Sequence, residues 1–494
     1  MNTIMNIKKA TYLIIYVILI ITVTGCEDFL KENPKNFINP QDFYENQSDA
    51  ESGLSGVYAN MLARGIYTRH GSMAHVMYSD YTWPWSLSQE SGYNATPEFW
   101  LFVIWDDNYE GIKRANNFIE SLEAKKVNFS ENLKNRYIAE AKFLRVLNYT
   151  YLLQWYGGVP IVTSTVMDNY LVERDSESEG WDFVEAELNE VIPILPHKSE
   201  YLGMDVSRAN KEAAKMALTK VYMVRQKWSE AKVLVEEIIS SGEYQLETDI
   251  LDNWNTSNEH GIESIYEVDC GSGFNPKLGN TLGGLGAPEG LIHPITGKIM
   301  GGAFTGVGFS PFFYDMFDTE DTRRTKCFYD TAMHGGPKGR FFCSKYFDPK
   351  VMQNFVTADN PTNFVVFRYA DVLLMKAEIE NELNNGPNVA AYQAIDAVRD
   401  RSNAPKLNRN FSYKEFLDAV FDERGRELFY EGHRFYDLKR RGYEFLKNRV
   451  EPARQALFDY VKYPVTFSIA EKNLKLPIPQ TEIDANPKLV QNPY

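Results

Sequence analysis

The chain has 494 residues, of which 44 % are hydrophobic and 24 % charged; this is the balance of a folded globular protein and excludes wholesale disorder, collagen and coiled coil. The length accommodates two or three domain-sized units and a large core. A formal net charge of −15 leaves no basic field for nucleic acid, and the seven His are scattered without metal-ligand spacing, so no metal or cofactor is expected.

The N-terminus has the layout of a secretory signal peptide over residues 1–25. Lys8 and Lys9 precede a run from Ala10 to Val23 that is almost wholly apolar, and small residues follow just ahead of Cys26. At about 14 residues the run falls short of the roughly 20 that span a bilayer. Val23-Thr24-Gly25-Cys26 resembles the lipobox of bacterial lipoproteins, whose cysteine is acylated, so Cys26 is the expected lipidation site. Two or more acyl chains anchor a protein stably without a transmembrane helix. Residues 26–40, with Pro34 and Pro40, read as an extended tether.

Beyond the tether the pattern is mostly helical. Residues 48–62 place Ala50, Leu54, Val57, Tyr58 and Met61 on one face. A second helix is predicted over 108–122. A third and longer one covers 131–156, with Ala141, Leu144, Leu147, Tyr151 and Trp155 at three- and four-residue steps before Gly157-Gly158 ends it. Residues 207–241 read as a helix pair, with Ser207 as the expected N-cap, Ala213, Ala214 and Ala217 at the contact, and a break near Gln226-Lys227. Two antiparallel helices with small residues between them, in about 34 residues, have the form of a tetratricopeptide (TPR) unit. A second pair is expected at 369–384 and 388–401, separated by Asn385-Gly386-Pro387. The fold class is therefore mainly α, with a TPR-like helix-turn-helix scaffold.

Two stretches break that pattern. Residues 77–105 hold Tyr78, Tyr81, Trp83, Trp85, Tyr93, Phe99, Trp100 and Trp105 among Pro84, Gly92 and Pro97. Residues 270–313 hold twelve glycines, which serve turns rather than helices. A loop of this length within a compact domain is usually functional. Aromatics reach 14 % of the chain, more than a core alone needs. Three cysteines besides Cys26 remain, so at most one intrachain bridge is possible. Cys327 and Cys343, nearest in sequence, are the expected pair.

Catalytic signatures are missing. No glycine pattern for a dinucleotide or phosphate, no GxSxG elbow and no HExxH helix is present. Carboxylates are abundant, but abundance alone does not make a glycosidase pair. Residues 412–441 are densely charged. Ser412 and Glu415 form a capping box, and Glu423–Arg426 and Glu431–Arg434 have i,i+3 spacing. An anion site is one reading. The favoured reading is a helix whose ion pairs lock it to its neighbours.

In this segment the run ERGRELFYEGHRFYDLKRRG, Glu423 to Gly442, resembles the signature of the SusD/RagB family of nutrient-binding outer-membrane lipoproteins. CEDFLKENP at Cys26, EAKFLRVLNYTYLLQWYGGVPIV at Glu140, FRYADVLLMKAEIENEL at Phe367 and LPIPQTEIDANPKLVQNPY at Leu476 are similar to further family blocks in the same order. The resemblance implies a SusD-like fold, with a TPR-like N-terminal part over 26–255 and a C-terminal part over 256–494, and an irregular loop-rich half for the ligand. It also implies a non-catalytic protein held at the cell surface by its lipid, which captures a glycan and delivers it to a SusC-like TonB-dependent outer-membrane transporter.

By that analogy the ligand site draws on the loop at 77–100 and on 270–313, reaching toward Arg340. Aromatic faces stack on the C–H face of a pyranose while polar groups bond its hydroxyls. Trp83, Trp85 and Tyr93 are the expected platforms, with Asp80 and Asn94 as polar contacts and Phe274, Asn275 and Phe309 as further candidates. Phe99, Trp100 and Trp105 are assigned to the core. The alternatives are a peptide ligand on the same scaffold, a surface glycoside hydrolase, and a lid that binds only the transporter.

Overall fold

The computed structural model describes residues 44, 46–83, 93, 95–97, 102–166, 171–273, 279–301, 307–329, 340–355 and 359–494. The first helix among the described residues is α1 (Gln47–Tyr58), capped by the Asn46 side chain and followed by a 3-10 turn over Ala59–Leu62. A short α2 (His70–Met77) leads into β1 (Thr82–Trp83). The second predicted helix is longer than its periodicity: α3 (Phe102–Glu123) begins six residues earlier and takes in Trp105, buried as expected. The third, α4 (Glu131–Tyr156), has the predicted bounds, with Ser130 accepting the Leu133 N–H. It is followed by α5 (Glu177–Val191), opened by a Ser176/Glu179 capping box.

The two expected helix pairs are present. In the first, α6 (Lys211–Val224) packs on α7 (Trp228–Ser240), and Ala213, Ala214 and Ala231 are fully buried between them. Its cap is Asn210, whose Oδ1 accepts the Ala213 N–H at 2.8 Å; Ser207 instead belongs to a preceding 3-10 turn. In the second pair, α9 (Tyr369–Asn384) packs on α10 (Val389–Arg401) across the left-handed Asn385, with Asn388 as the cap. Small residues let helix axes approach closely, which is why alanine recurs at both contacts.

Short strands and turns connect these helices. β2 (Ser264–Val268) pairs antiparallel with β6 (Phe364–Arg368), β1 with β3 (Gly308–Phe309), and β4 (Phe328–Tyr329) with β5 (Phe342–Cys343). Between β3 and β4 lie two helical turns, α8 (Pro311–Tyr314) and a second over Arg323–Lys326. Cys327 and Cys343 are buried free thiols, not the expected bridge. Phe328 is the cross-strand partner of Cys343, so Cys327, one residue away, faces the other side of the ribbon.

The charged segment is two helices rather than one. After α11 (Tyr413–Leu428) the backbone leaves the helix, and Tyr430 and Gly432 take positive φ of 66° and 83°. The chain then resumes as α12 (Arg434–Lys439) and α13 (Tyr443–Tyr460). The expected locking role holds. Glu427, fully buried, accepts from Arg323 at 2.8 Å, from Arg368 at 2.6 Å and from Arg401. Arg368 also binds Glu263 and Glu431, and the Lys345 ammonium donates to Glu431 and to the Glu427 and Phe429 carbonyls. Pairing of this kind offsets the cost of burying these charges. The lattice ties α11 and the bend after it to β6, α10 and the segment around Arg323.

Candidate functional site

The two loops singled out from the sequence meet. In β1 and β3, Thr82 lies opposite Phe309 and Trp83 opposite Gly308, and Ser310 N–H donates to the Tyr81 carbonyl at 2.9 Å. Phe309 in turn exchanges backbone hydrogen bonds with Phe341, which brings the segment beginning at Arg340 to the same place. Gly308 is required at this crossing. A Cβ there would lie 2.7 Å from both Cγ and Nε of Arg340 and 2.9 Å from the Phe341 carbonyl oxygen. Burial lowers the Arg340 guanidinium to about 10, and it lies 5.1 Å from the Phe342 ring centroid.

Trp83 emerges from this crossing half-buried. Its ring meets Tyr460 edge-on, with centroids 6.1 Å apart and planes at 84°. Tyr460 meets Phe312 likewise at 6.0 Å and 83°. Tyr460 and Phe312 are 47 % and 43 % exposed, so three large rings form one patch open to solvent. Phe312 owes its position to α8, where Ser310 caps, Pro311 starts the turn, Phe313 is buried and Tyr314 stacks on Phe341. Tyr460 is the last residue of α13, and its neighbours Leu457 and Phe458 are buried.

Three of the other sequence candidates have different roles. Asp80 is not a free polar contact, because both of its carboxylate oxygens are held by Arg434 at 2.6 and 2.8 Å. That pair fastens the loop to α12, and the Asp80 carboxylate holds the Arg434 guanidinium above its ordinary range against the burial that opposes it. Tyr93 is 2 % exposed. Its hydroxyl donates to the Tyr78 carbonyl, and its ring packs against Tyr78, Phe435 and Phe467. Phe309 is 0 % exposed and lies among Phe313, Phe328, Phe429 and Tyr430. Both are core rings, since an aromatic side chain in a loop stem is covered as readily as one in a helix. Trp85, Asn94, Phe274, Asn275 and Cys26 lie outside the described residues, as do Phe99 and Trp100.

Tyr460 and Phe312 were missed by the sequence reading. Phe312 sits at the very end of the glycine-rich stretch, and a Ser-Pro pair just before it signals a new helical turn. Tyr460 carries no local signal, because its partner Trp83 is remote in sequence. Such a patch stacks on flat, apolar C–H faces and needs no charge. Among the described residues no group of His, Cys, Asp and Glu is placed to hold a metal ion.

Comparison with known proteins fits this architecture. The SusD family pattern matches residues 297–494, and a pattern described as starch-binding associating with outer membrane matches residues 28–223. The chain belongs to the SusD-like family. SusD-like protein P25 of Formosa agariphila is 28 % identical, with 98 % of each chain covered. A solved laminarin-binding SusD-like protein shares 27 % identity with a TM-score of 0.75, over 91 % of this chain and all of that one. Surface glycan-binding protein A from Bacteroides uniformis has the same fold, with a TM-score of 0.78 at 23 % identity over 90 % of this chain and 99 % of that one.

Proposed function

We propose that this SusD-like protein is a non-catalytic glycan-binding lipoprotein of the cell surface, and that its ligand stacks on Trp83, Tyr460 and Phe312. The observation that carries the reading is the exposed three-ring patch where the two loops cross. Exposed rings of this size cost solvation unless something covers them, and contiguous apolar patches commonly mark ligand or partner sites. Laminarin is the first ligand to test, because the laminarin-binding relative is similar over nearly the whole chain. Trp85, Asn94, Phe274 and Asn275 belong to the two loops and complete the site. The protein is held to the outer membrane through an acylated Cys26, and it hands its cargo to a SusC-like TonB-dependent transporter.

The test is retardation of the protein, with Cys26 removed, in native gels containing laminarin and a panel of other polysaccharides. Retardation by a glycan with no release of reducing ends supports the reading. Turnover of the glycan refutes it in favour of a hydrolase, and retardation by none refutes it in favour of peptide cargo or a ligand-free lid.

A further inference from the structure

Arg454 lies on α13, six residues before Tyr460, and is completely buried. Its Nη1 donates to the Thr82 carbonyl at 2.8 Å, and its Nη2 donates to the Ser79 carbonyl at 3.0 Å and to the Met77 carbonyl. Its Nε makes no hydrogen bond among the described residues. The other fully buried guanidiniums are treated differently. Arg323 faces Asp321, Glu423 and Glu427, Arg368 faces Glu263, Glu427 and Glu431, and Arg424 faces Asp371 and Asp437. Arg454 instead is held by backbone carbonyls alone. Burial pulls it down to about 10, against the opposing pull of the Asp80 carboxylate, which still leaves it charged at neutral pH.

A buried guanidinium with no carboxylate in hydrogen-bond contact is costly, so its placement calls for a compensating gain. The three acceptors lie within a six-residue stretch. Met77 ends α2, where carbonyls have no intrahelical partner, and Thr82 is the residue before Trp83. The Arg434–Asp80 pair grips the same turn by a side chain, and Tyr93 and Ser310 each hold one of its carbonyls, but Arg454 alone among these holds three of them together.

We propose that Arg454 is a positioning residue that sets Trp83 against Tyr460, so that α13 carries one ring of the patch and the anchor of another. This rests on the reading of the patch as the glycan site. Arg454→Lys keeps the charge but loses the planar fork that spans several carbonyls.

The test combines titration with laminarihexaose and hydrogen exchange, on wild type, Arg454→Lys, Trp83→Ala and the double variant, all with Cys26 removed. Arg454→Lys is expected to weaken binding about tenfold, equivalent to 1.4 kcal/mol. It is also expected to speed amide exchange over 77–83 while leaving 131–156 at the wild-type rate. The double variant binds no worse than Trp83→Ala, because Arg454 acts through that ring. Exchange over 77–83 that is unchanged in both Arg454→Lys and Arg454→Met, or penalties of Arg454→Lys and Trp83→Ala that multiply, overturns the proposal. If Trp83→Ala binds as wild type, the patch reading itself fails. The exchange over 77–83 in Arg454→Lys then decides alone whether Arg454 holds this turn. Arg454→Met, which keeps the stem and removes every donor, repeats the exchange measurement should the lysine reach the carbonyls.

Discussion

Glu427→Gln is expected to destabilise the protein by about 3–5 kcal/mol, the range for breaking a buried ion pair by removing one partner. The carboxylate is fully buried and receives Arg323, Arg368 and Arg401. An amide of the same shape keeps one acceptor oxygen and turns two N–H donors toward these cations. Two unit charges about 4 Å apart at an effective dielectric near 20 attract by about 4 kcal/mol, which agrees with that range. Arg323 and Arg368 retain other carboxylates, so the loss stays near one pair rather than three. The pH dependence supplies a second arm. The surrounding guanidiniums hold Glu427 well below its ordinary 4.5, against the burial that opposes them. Its contribution is therefore complete above about pH 4.5 and is lost as the pH falls toward the folded value. Urea unfolding followed by far-UV circular dichroism at neutral pH, and again at steps below pH 4.5, measures both. The variant should unfold at lower urea, and its stability should fall less steeply in acid. A loss under about 1 kcal/mol, with an acid slope equal to wild type, would refute the lattice as a source of stability.

Gly308→Ala should weaken glycan binding more than it lowers the unfolding midpoint, because the added Cβ meets Arg340 and the Phe341 carbonyl at the loop crossing. Equal binding would show that the crossing gives way without moving Trp83. With Cys26 removed, the native protein should react slowly with a thiol reagent near pH 8, and three thiols should react once it is unfolded. Burial pushes Cys270 and Cys327 up to about 12 and Cys343 higher still. Fewer than three thiols in denaturant would indicate a disulfide. His75 is buried against Trp155, Tyr151 and Phe435, and neither ring nitrogen has a hydrogen-bond partner among the described residues. Burial lowers it to about 3, so the unfolded chain protonates first and stability drains away as the pH falls from about 6.5 toward 3. His75→Leu should flatten that part of the stability–pH curve and leave neutral stability near wild type; an unchanged slope would place the proton uptake elsewhere.

What was legible in the sequence is what has a period or a cap. The helix over 131–156, the alanine-lined pairs and the Ser412/Glu415 box follow from spacing alone, because helix formation is local. Burial of loop residues is not local. Tyr93 and Phe309 look like Trp83 in composition, yet the first two lie under other rings and only the third emerges. Asp80 reads as an exposed acid until Arg434, 354 residues away, is placed beside it. The same distance problem hid Tyr460. The break inside the charged segment was hidden differently, since a single glycine is compatible with a helix until the left-handed Tyr430 is seen.

Titration of the protein lacking Cys26 with laminarihexaose, for wild type and for the Trp83→Ala/Tyr460→Ala variant, tests most directly whether the patch is the glycan site. Saturable binding by wild type, lost by at least tenfold in a variant that unfolds at the wild-type urea midpoint, is the expected result, since each stacked ring contributes on the order of 1 kcal/mol or more. Undiminished binding by the variant would contradict it and would move the ligand away from Trp83 and Tyr460.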